Sequence, residues 1–365
     1  VAFSPDGKTI AYTCRKKVGK EYSLSTNSDI YLYNIADKTV QNISEGIMGY
    51  DQNPVFSNNG KYIVWESMEH DGYESDKQRI MLYDLESGER KDLTANLDQT
   101  CYSYAWSDDD SKIYFISPFM GTREIFVYNF ADQSFRQVTK DLHDINAFEI
   151  KGDKIYTQEV SMSHPAEIFV YDINGEKAQG QQISAINTEV LDKVNMGKVE
   201  ERWIKTTNGE DMLVWVVYPY NYDSTKTYPA LLFCQGGPQD MVSQFWSTRW
   251  NFQLMSGAGY FVIAPNRHGV PGFGTKWNEQ ISGDYGGQNM KDYMQAYDVI
   301  AKEHPSIDEN RVGACGASYG AFSVYWLAGN HQNRFKAFLA HNGMFNLEQQ
   351  YCETEEMWFP NFDNG

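Results

Sequence analysis

Paired cysteines, a basic surface and a long apolar run are all missing from this sequence. Its five cysteines, Cys14, Cys101, Cys234, Cys315 and Cys352, are odd in number and show no CxxC spacing. They supply neither a disulfide framework nor a zinc site, and are expected to be buried small hydrophobes. Lys and Arg number 31 against 49 Asp and Glu, a formal net charge of −18. Affinity for nucleic acid rests on neutralising phosphates, so this balance argues against a nucleic-acid partner. No apolar stretch approaches the roughly 18 residues that a membrane-spanning helix requires. His70 and His143 fall in separate connections, too isolated to suggest a metal, and no cofactor is expected. An initiator Met is lacking too, and 1-VAFSPDGKTIAY-12 already reads as strand, turn and strand. The sequence is therefore expected to begin partway through its protein, with any targeting segment upstream.

What is present is the composition of a folded chain, 41% hydrophobic and 15% aromatic over 365 residues, enough for two cores. The first half repeats. Each unit opens on an apolar strand and turn: 3-FSPDGKTIAY-12, 56-FSNNGKYIVW-65, 106-WSDDDSKIYF-115 and, more weakly, 149-EIKGDKIYT-157. Each continues with 30-IYLYN-34, 80-IMLYD-84, 125-IFVYN-129 or 168-IFVYD-172, and closes on an aliphatic residue and a hydroxyl, 43-IS-44, 93-LT-94, 138-VT-139 or 183-IS-184. From Tyr33 to Tyr83, Tyr128 and Tyr171 the intervals are 50, 45 and 43 residues. Short strands repeated at that period are the pattern of four-stranded propeller blades, and about four are read over 1–187. Four is the low end for a closed propeller, so further blades are expected ahead of residue 1.

From about Asn187 the texture changes. A hairpin is read around Asn208-Gly209, followed by apolar strands at 229–234, 259–265, 311–315 and 336–341. Helices are read between them over roughly 242–255, 287–304 and 319–330. Continuous apolar strands alternating with helices imply a doubly wound, mostly parallel sheet, so 188–365 is expected to be an α/β domain.

The chemistry centres on 311-RVGACGASYGAFSVYW-326. GxSxG is weak by itself, but here a strand precedes it, a helix follows, and small residues crowd the turn. That context makes Ser318 the candidate nucleophile of an elbow, with the Tyr319 N–H at a helix N-terminus facing a developing oxyanion. After the strand 229-PALLFC-234 comes 235-QGGPQD-240, where Gly236 and Gly237 can bring backbone N–H groups close to a carbonyl. An inert serine in a glycine-rich bend is the competing reading.

Together with 265-PNRHGVPGFGTKWNEQISGDYGGQNMKDYMQAYDVI-300 and 353-ETEEMWFPNFD-363, these motifs resemble the prolyl oligopeptidase family of serine peptidases, in particular its dipeptidyl-peptidase and acylaminoacyl-peptidase branch. The resemblance covers both halves, since these enzymes join a β-propeller to an α/β-hydrolase. It implies a peptidase acting on short peptides through an acyl-enzyme on Ser318, with Tyr319, Gly236 and Gly237 as oxyanion donors. It further implies that Phe345 and Trp358 line the pocket before the scissile bond, that the setting is periplasmic or secreted, and that a homodimer stays open. Three positions depart from the family pattern: Gln235 replaces His, His268 stands where Arg is usual, and Ala321 replaces Gly.

In α/β-hydrolases the acid and then the base follow the nucleophile along the chain. Beyond Ser318 the histidines are His331, about 20 Å along a regular helix, and His341, read as a satisfied structural residue. Asp363 falls before the strand that should deliver the acid, and Glu353, Glu355 and Glu356 read as a solvated acidic patch. The triad Asp and His are expected outside this sequence, and the α/β domain is expected to lack its C-terminal part. Release of N-terminal dipeptides is the reading preferred. The alternatives are an acylaminoacyl peptidase or oligopeptidase of the same family, an esterase on the same fold, and a non-catalytic propeller protein.

Overall fold

The structure, a computed structural model, describes residues 1–174 and 179–364; Gly365, the last residue of the expected α/β domain, lies outside them. The repeats become four consecutive antiparallel units of four strands, beginning at Ala2–Phe3, Asp51–Phe56, Tyr102–Trp106 and Asp144–Lys151. The first two units form separate sheets, while the third and fourth join through one parallel pairing of Arg123 with Asp144.

The recurring residues have a shared physical role. In every unit the closing hydroxyl accepts the backbone N–H of the isoleucine that opens the third strand's apolar run. The pairs are Ser44 with Ile30 (2.9 Å), Thr94 with Ile80 (3.0 Å), Thr139 with Ile125 (2.9 Å) and Ser184 with Ile168 (2.8 Å). The Asn or Asp that follows the repeated tyrosine accepts the N–H two residues on, at Asn34, Asp84, Asn129 and Asp172, and so starts each turn. Each unit thus closes its own fourth strand with a side chain, independent of the others.

The second half carries a six-stranded sheet. Across it the strands run Val199–Lys205, Asp211–Val217, Phe261–Pro265, Tyr228–Cys234, Ile307–Ala317 and Ala337–His341. The first two pairings are antiparallel and the remaining three parallel, so the sheet is mixed, with parallel pairings in the majority as expected. The hairpin at Asn208-Gly209 accounts for the antiparallel edge, because a tight turn can only return the chain antiparallel. Both faces are covered. Met212, Val214 and Val216 pack with Met290, Tyr293 and Leu327 of the helices Gln288–Glu303 and Tyr319–Asn330. Leu213, Trp215 and Val217 pack on the other face with Val242, Phe252 and Met162, the last contributed by the fourth propeller unit.

The helix expected over 242–255 is confined to Phe252–Gly257. Side chains from elsewhere occupy the backbone and polar groups that a helix would need. Asn266 Oδ1 accepts Val242 N–H at 2.8 Å, Asn266 Nδ2 donates to Val242 O at 3.0 Å, and Asp144 accepts both Ser243 Oγ–H (2.5 Å) and Gln244 N–H (3.1 Å). The cysteines are all free: Cys101, Cys234 and Cys315 are buried as expected, but Cys14 is half-buried and Cys352 exposed. No helix among the described residues is long and apolar enough to cross a membrane.

Candidate active site

Ser318 stands between the end of the Ile307–Ala317 strand and the start of the Tyr319–Asn330 helix. Its backbone takes φ 56° and ψ −125°, a strained conformation for a residue with a Cβ. Close packing holds it there. A Cβ on Gly316 would lie 2.5 Å from Cys234 O, and one on Gly320 only 2.1 Å from the same atom. The neighbouring strand therefore comes too near for any side chain at either position. Ser318 N–H donates to His341 O at 3.0 Å, tying the turn to the next strand. Its side chain is exposed, and its Oγ has no hydrogen-bond partner among the described residues.

The glycine loop faces this turn. A Cβ on Gly236 would lie 3.0 Å from Ala317 O and 3.7 Å from Ser318 Cβ, so only a glycine lets the loop approach so closely. Gly237 adopts φ 109°, also reserved for glycine. Among the described residues neither glycine's N–H donates to another group. Tyr319 is the first helical residue, whose N–H has no partner within a helix. The glycine loop and the first turn of the helix thus meet at Ser318.

Behind them lies a buried polar layer that the sequence did not reveal. Arg267 is fully buried and donates from Nη2 to Pro238 O (2.9 Å), from Nη1 to His268 O (2.9 Å) and from Nε to Tyr293 OH (3.2 Å). Its guanidinium lies 4.8 Å from the centre of the Tyr319 ring. Tyr319 is buried as well; its hydroxyl donates to Tyr285 O at 2.8 Å, and burial pushes its pKa up, so it stays neutral. Asp363, 1% exposed, accepts from Tyr285 OH (2.7 Å), Ser282 Oγ (3.0 Å) and Gln239 Nε2 (3.2 Å). Gln239 Nε2 also reaches Ser75 Oγ at 3.0 Å, so the glycine loop is tied to a propeller connection. Asp363 thus joins the helix Trp358–Asp363 to Tyr285, Ser282 and the glycine loop.

Gln235, at the first departure from the family pattern, donates to Asp240 Oδ2 at 2.6 Å. His268, at the second, is buried and stacked on Trp277 at 3.7 Å, with Nδ1 2.5 Å from Asp292 and Nε2 2.8 Å from Glu210. Burial opposes its charge, but the two carboxylates outweigh this and hold its pKa above the ordinary value. Ala321, at the third, is fully buried and lies where a Cβ on Gly343 would come within 2.5 Å of it.

The remaining candidates are dispersed. Phe345 is 79% exposed, edge-on to Tyr325, and lines a hollow of about 390 Å³ with Asn346, Gln349 and Glu353. Trp358 does not line that hollow; it is buried beneath Arg15 and close to Gly72, both from propeller connections. Glu353, Glu355 and Glu356 are exposed. His341, read from sequence as a satisfied residue, is exposed, and its ring makes no hydrogen bond among the described residues. His331 Nδ1 accepts Phe335 N–H at 3.3 Å. His143 is not isolated: it lies between Glu124 (3.0 Å) and Glu159 (2.8 Å). A cavity of about 460 Å³ opens beside the glycine loop, lined by Gln239, Asn278, Tyr50, Glu74 and Gln78.

A strained serine at a strand–helix turn, a glycine loop packed against it and a mixed sheet following repeated four-stranded units have the architecture of a β-propeller joined to an α/β-hydrolase. Residues 246–364 match the prolyl oligopeptidase family. Over its whole length the chain is 52% identical to dipeptidyl-peptidase 5 of Porphyromonas gingivalis and 50% identical to that of Porphyromonas endodontalis, spanning 53% and 52% of those proteins. An acylaminoacyl peptidase structure from Pyrococcus horikoshii shares the fold, with a TM-score of 0.84 at 21% identity, over 98% of this chain and 54% of that one. The segment 246–364 carries the match to the prolyl oligopeptidase family. It spans about half the length of the curated relatives it matches.

Proposed function

We propose that the protein containing this chain is a serine peptidase that releases dipeptides from the N-termini of short peptides. The observation that carries the reading is the conformation of Ser318, strained and exposed where the glycine loop packs against its turn. Its Oγ attacks the peptide carbonyl carbon while its proton passes to a base. The carbonyl oxygen becomes an oxyanion, held by the N–H groups of Tyr319 and of the Gly236-Gly237 loop. The C–N bond then breaks and the amine leaves with the proton. Water attacks the acyl ester, releasing the dipeptide and restoring the serine hydroxyl. No histidine ring bonds Ser318 Oγ among the described residues, so the base and its carboxylate are assigned to the part of the relatives' length that this chain does not span.

The preference for dipeptides rests on the 52% identity to a dipeptidyl-peptidase 5. Each four-stranded unit is read as one blade, with the propeller over 1–187 and part of the hydrolase domain over 188–365. The propeller faces the site and restricts entry to short peptides, for which the cavity beside Gln239 has room. Phe345 and Trp358 are retained as candidates for the pocket before the scissile bond. A periplasmic or secreted setting is assigned by similarity to the two Porphyromonas relatives.

Fluorophosphonate labelling of the full-length protein tests the reading. Labelling and hydrolysis of dipeptidyl p-nitroanilides are expected to disappear together in Ser318→Ala. Undiminished labelling of that variant would overturn the assignment, and faster turnover of simple esters than of p-nitroanilides would redirect it to an esterase.

A further inference from the structure

We infer that Arg267 is a positioning residue that holds the two halves of the oxyanion hole in register. The inference rests on the reading of Ser318 as nucleophile. The donors come from separate places: Gly236 and Gly237 follow the Tyr228–Cys234 strand, and Tyr319 follows the Ile307–Ala317 strand. Arg267 follows a third strand, Phe261–Pro265, and its side chain reaches both. It donates to the carbonyl of Pro238, immediately after Gly237, and lies against the ring of Tyr319, immediately after Ser318.

The chemistry of the contacts supports bracing over simple space-filling. Arg267 is fully buried, and among the described residues no carboxylate comes within 4 Å of it, Asp292 and Asp240 acting on it only from further away. An unpaired buried cation is costly, and an apolar side chain would fill the same volume without that cost. The planar fork does what an apolar residue does not, since Nη1, Nη2 and Nε each reach an oxygen of a different residue, His268, Pro238 and Tyr293. A positive charge fixed behind the donors also favours negative charge growing on the substrate oxygen in a water-poor site. Tyr293 completes the brace from the Gln288–Glu303 helix.

The test uses the full-length protein, with Arg267→Met (volume kept, charge lost), Arg267→Lys (charge kept, fork lost) and Tyr293→Phe (acceptor of Nε lost). Arg267→Met is expected to lower kcat about 100-fold on a dipeptidyl p-nitroanilide, the scale seen when an oxyanion donor is removed, with KM changed less than about threefold. Affinity for a dipeptide boronic acid, whose tetrahedral adduct places an oxygen in the hole, should fall in parallel. Affinity for the product dipeptide should not. Arg267→Lys should recover part of the loss. Should Arg267→Met fail to fold, Tyr293→Phe reads the same split, with kcat several-fold lower at unchanged KM. An unchanged kcat in the folded variant, or boronate and product weakened alike, would overturn the proposal. Ser318→Ala separates the two readings: turnover that survives it sinks the nucleophile assignment, while Ser318-dependent turnover indifferent to Arg267 sinks only the brace.

Discussion

Gly316 and Gly320 decide whether Ser318 can hold its strained backbone, because both meet the carbonyl of Cys234 at distances no side chain tolerates. Their importance was legible from the sequence as small residues around a GxSxG turn. The particular atom they must avoid was not, since Cys234 lies more than eighty residues earlier on a neighbouring strand. A Gly320→Ala Cβ would sit 2.1 Å from that backbone oxygen, so the helix or the Cys234 strand must shift. The expected cost is on the order of 1–3 kcal/mol or more, the range for overpacked cores. Urea unfolding of the full-length protein should show it, together with loss of fluorophosphonate labelling. A Gly320→Ala variant as stable and as reactive as the parent would mean that the turn is not under this constraint.

At the scale of elements, the segment 242–251 shows how a helical pattern loses to tertiary contacts. Its polar groups serve Asn266 and Asp144, and the chain stays extended enough to present them. The reverse occurs at the short helix Thr275–Glu279, which begins after Gly274 with no cap of its own. Asp98 supplies one from the propeller, accepting Thr275 N–H at 2.8 Å and Thr275 Oγ–H at 2.6 Å. These hydrogen bonds hold the Asp98 carboxyl below the usual range. Asp98→Ala should cost about 1 kcal/mol, as lost N-caps do. Because its folded pKa is depressed, the contribution is present above the unfolded carboxylate pKa and lost as pH falls through the folded one. Stability differences between parent and variant should therefore narrow in acid, and a difference that persists to low pH would assign the effect to something other than the carboxylate.

Across the whole molecule, buried charge joins parts that are distant in sequence. His143 lies between Glu124 of the third unit and Glu159 of the fourth, all three nearly inaccessible. Burial opposes its charge, yet hydrogen bonds and attraction from both glutamates outweigh this and raise its pKa to about 10. Its contribution is thus fully present below the ordinary histidine pKa and is lost as pH rises through about 10. His143→Ala leaves two glutamates facing each other without a cation and should destabilise the protein by about 3–5 kcal/mol. Thermal unfolding at neutral pH checks this, and the gap between parent and variant should shrink as pH approaches 10. Asp144, beside His143, meets Ser243 and Gln244 of the other half, and Met120 N–H donates to Gly272 O at 3.0 Å. The propeller is thereby fastened close behind the glycine loop.

The sequence by itself determined the features that recur or lie close together along the chain. Four repeats with their turn residues and closing hydroxyls, the strands of the second sheet, and an elbow with a glycine loop upstream were all readable, because each depends on neighbours within a few residues. The tertiary structure alone decided which side chains stand behind the glycine loop and the Ser318 turn. Arg267, Gln239, Tyr285 and Asp363 lie inside motifs quoted from the sequence, but nothing local shows that they meet in one polar layer, and His143 read as isolated until two strands brought glutamates to either side of it. A buried polar group is satisfied by whichever partner the packing delivers, and that partner can lie a hundred residues away.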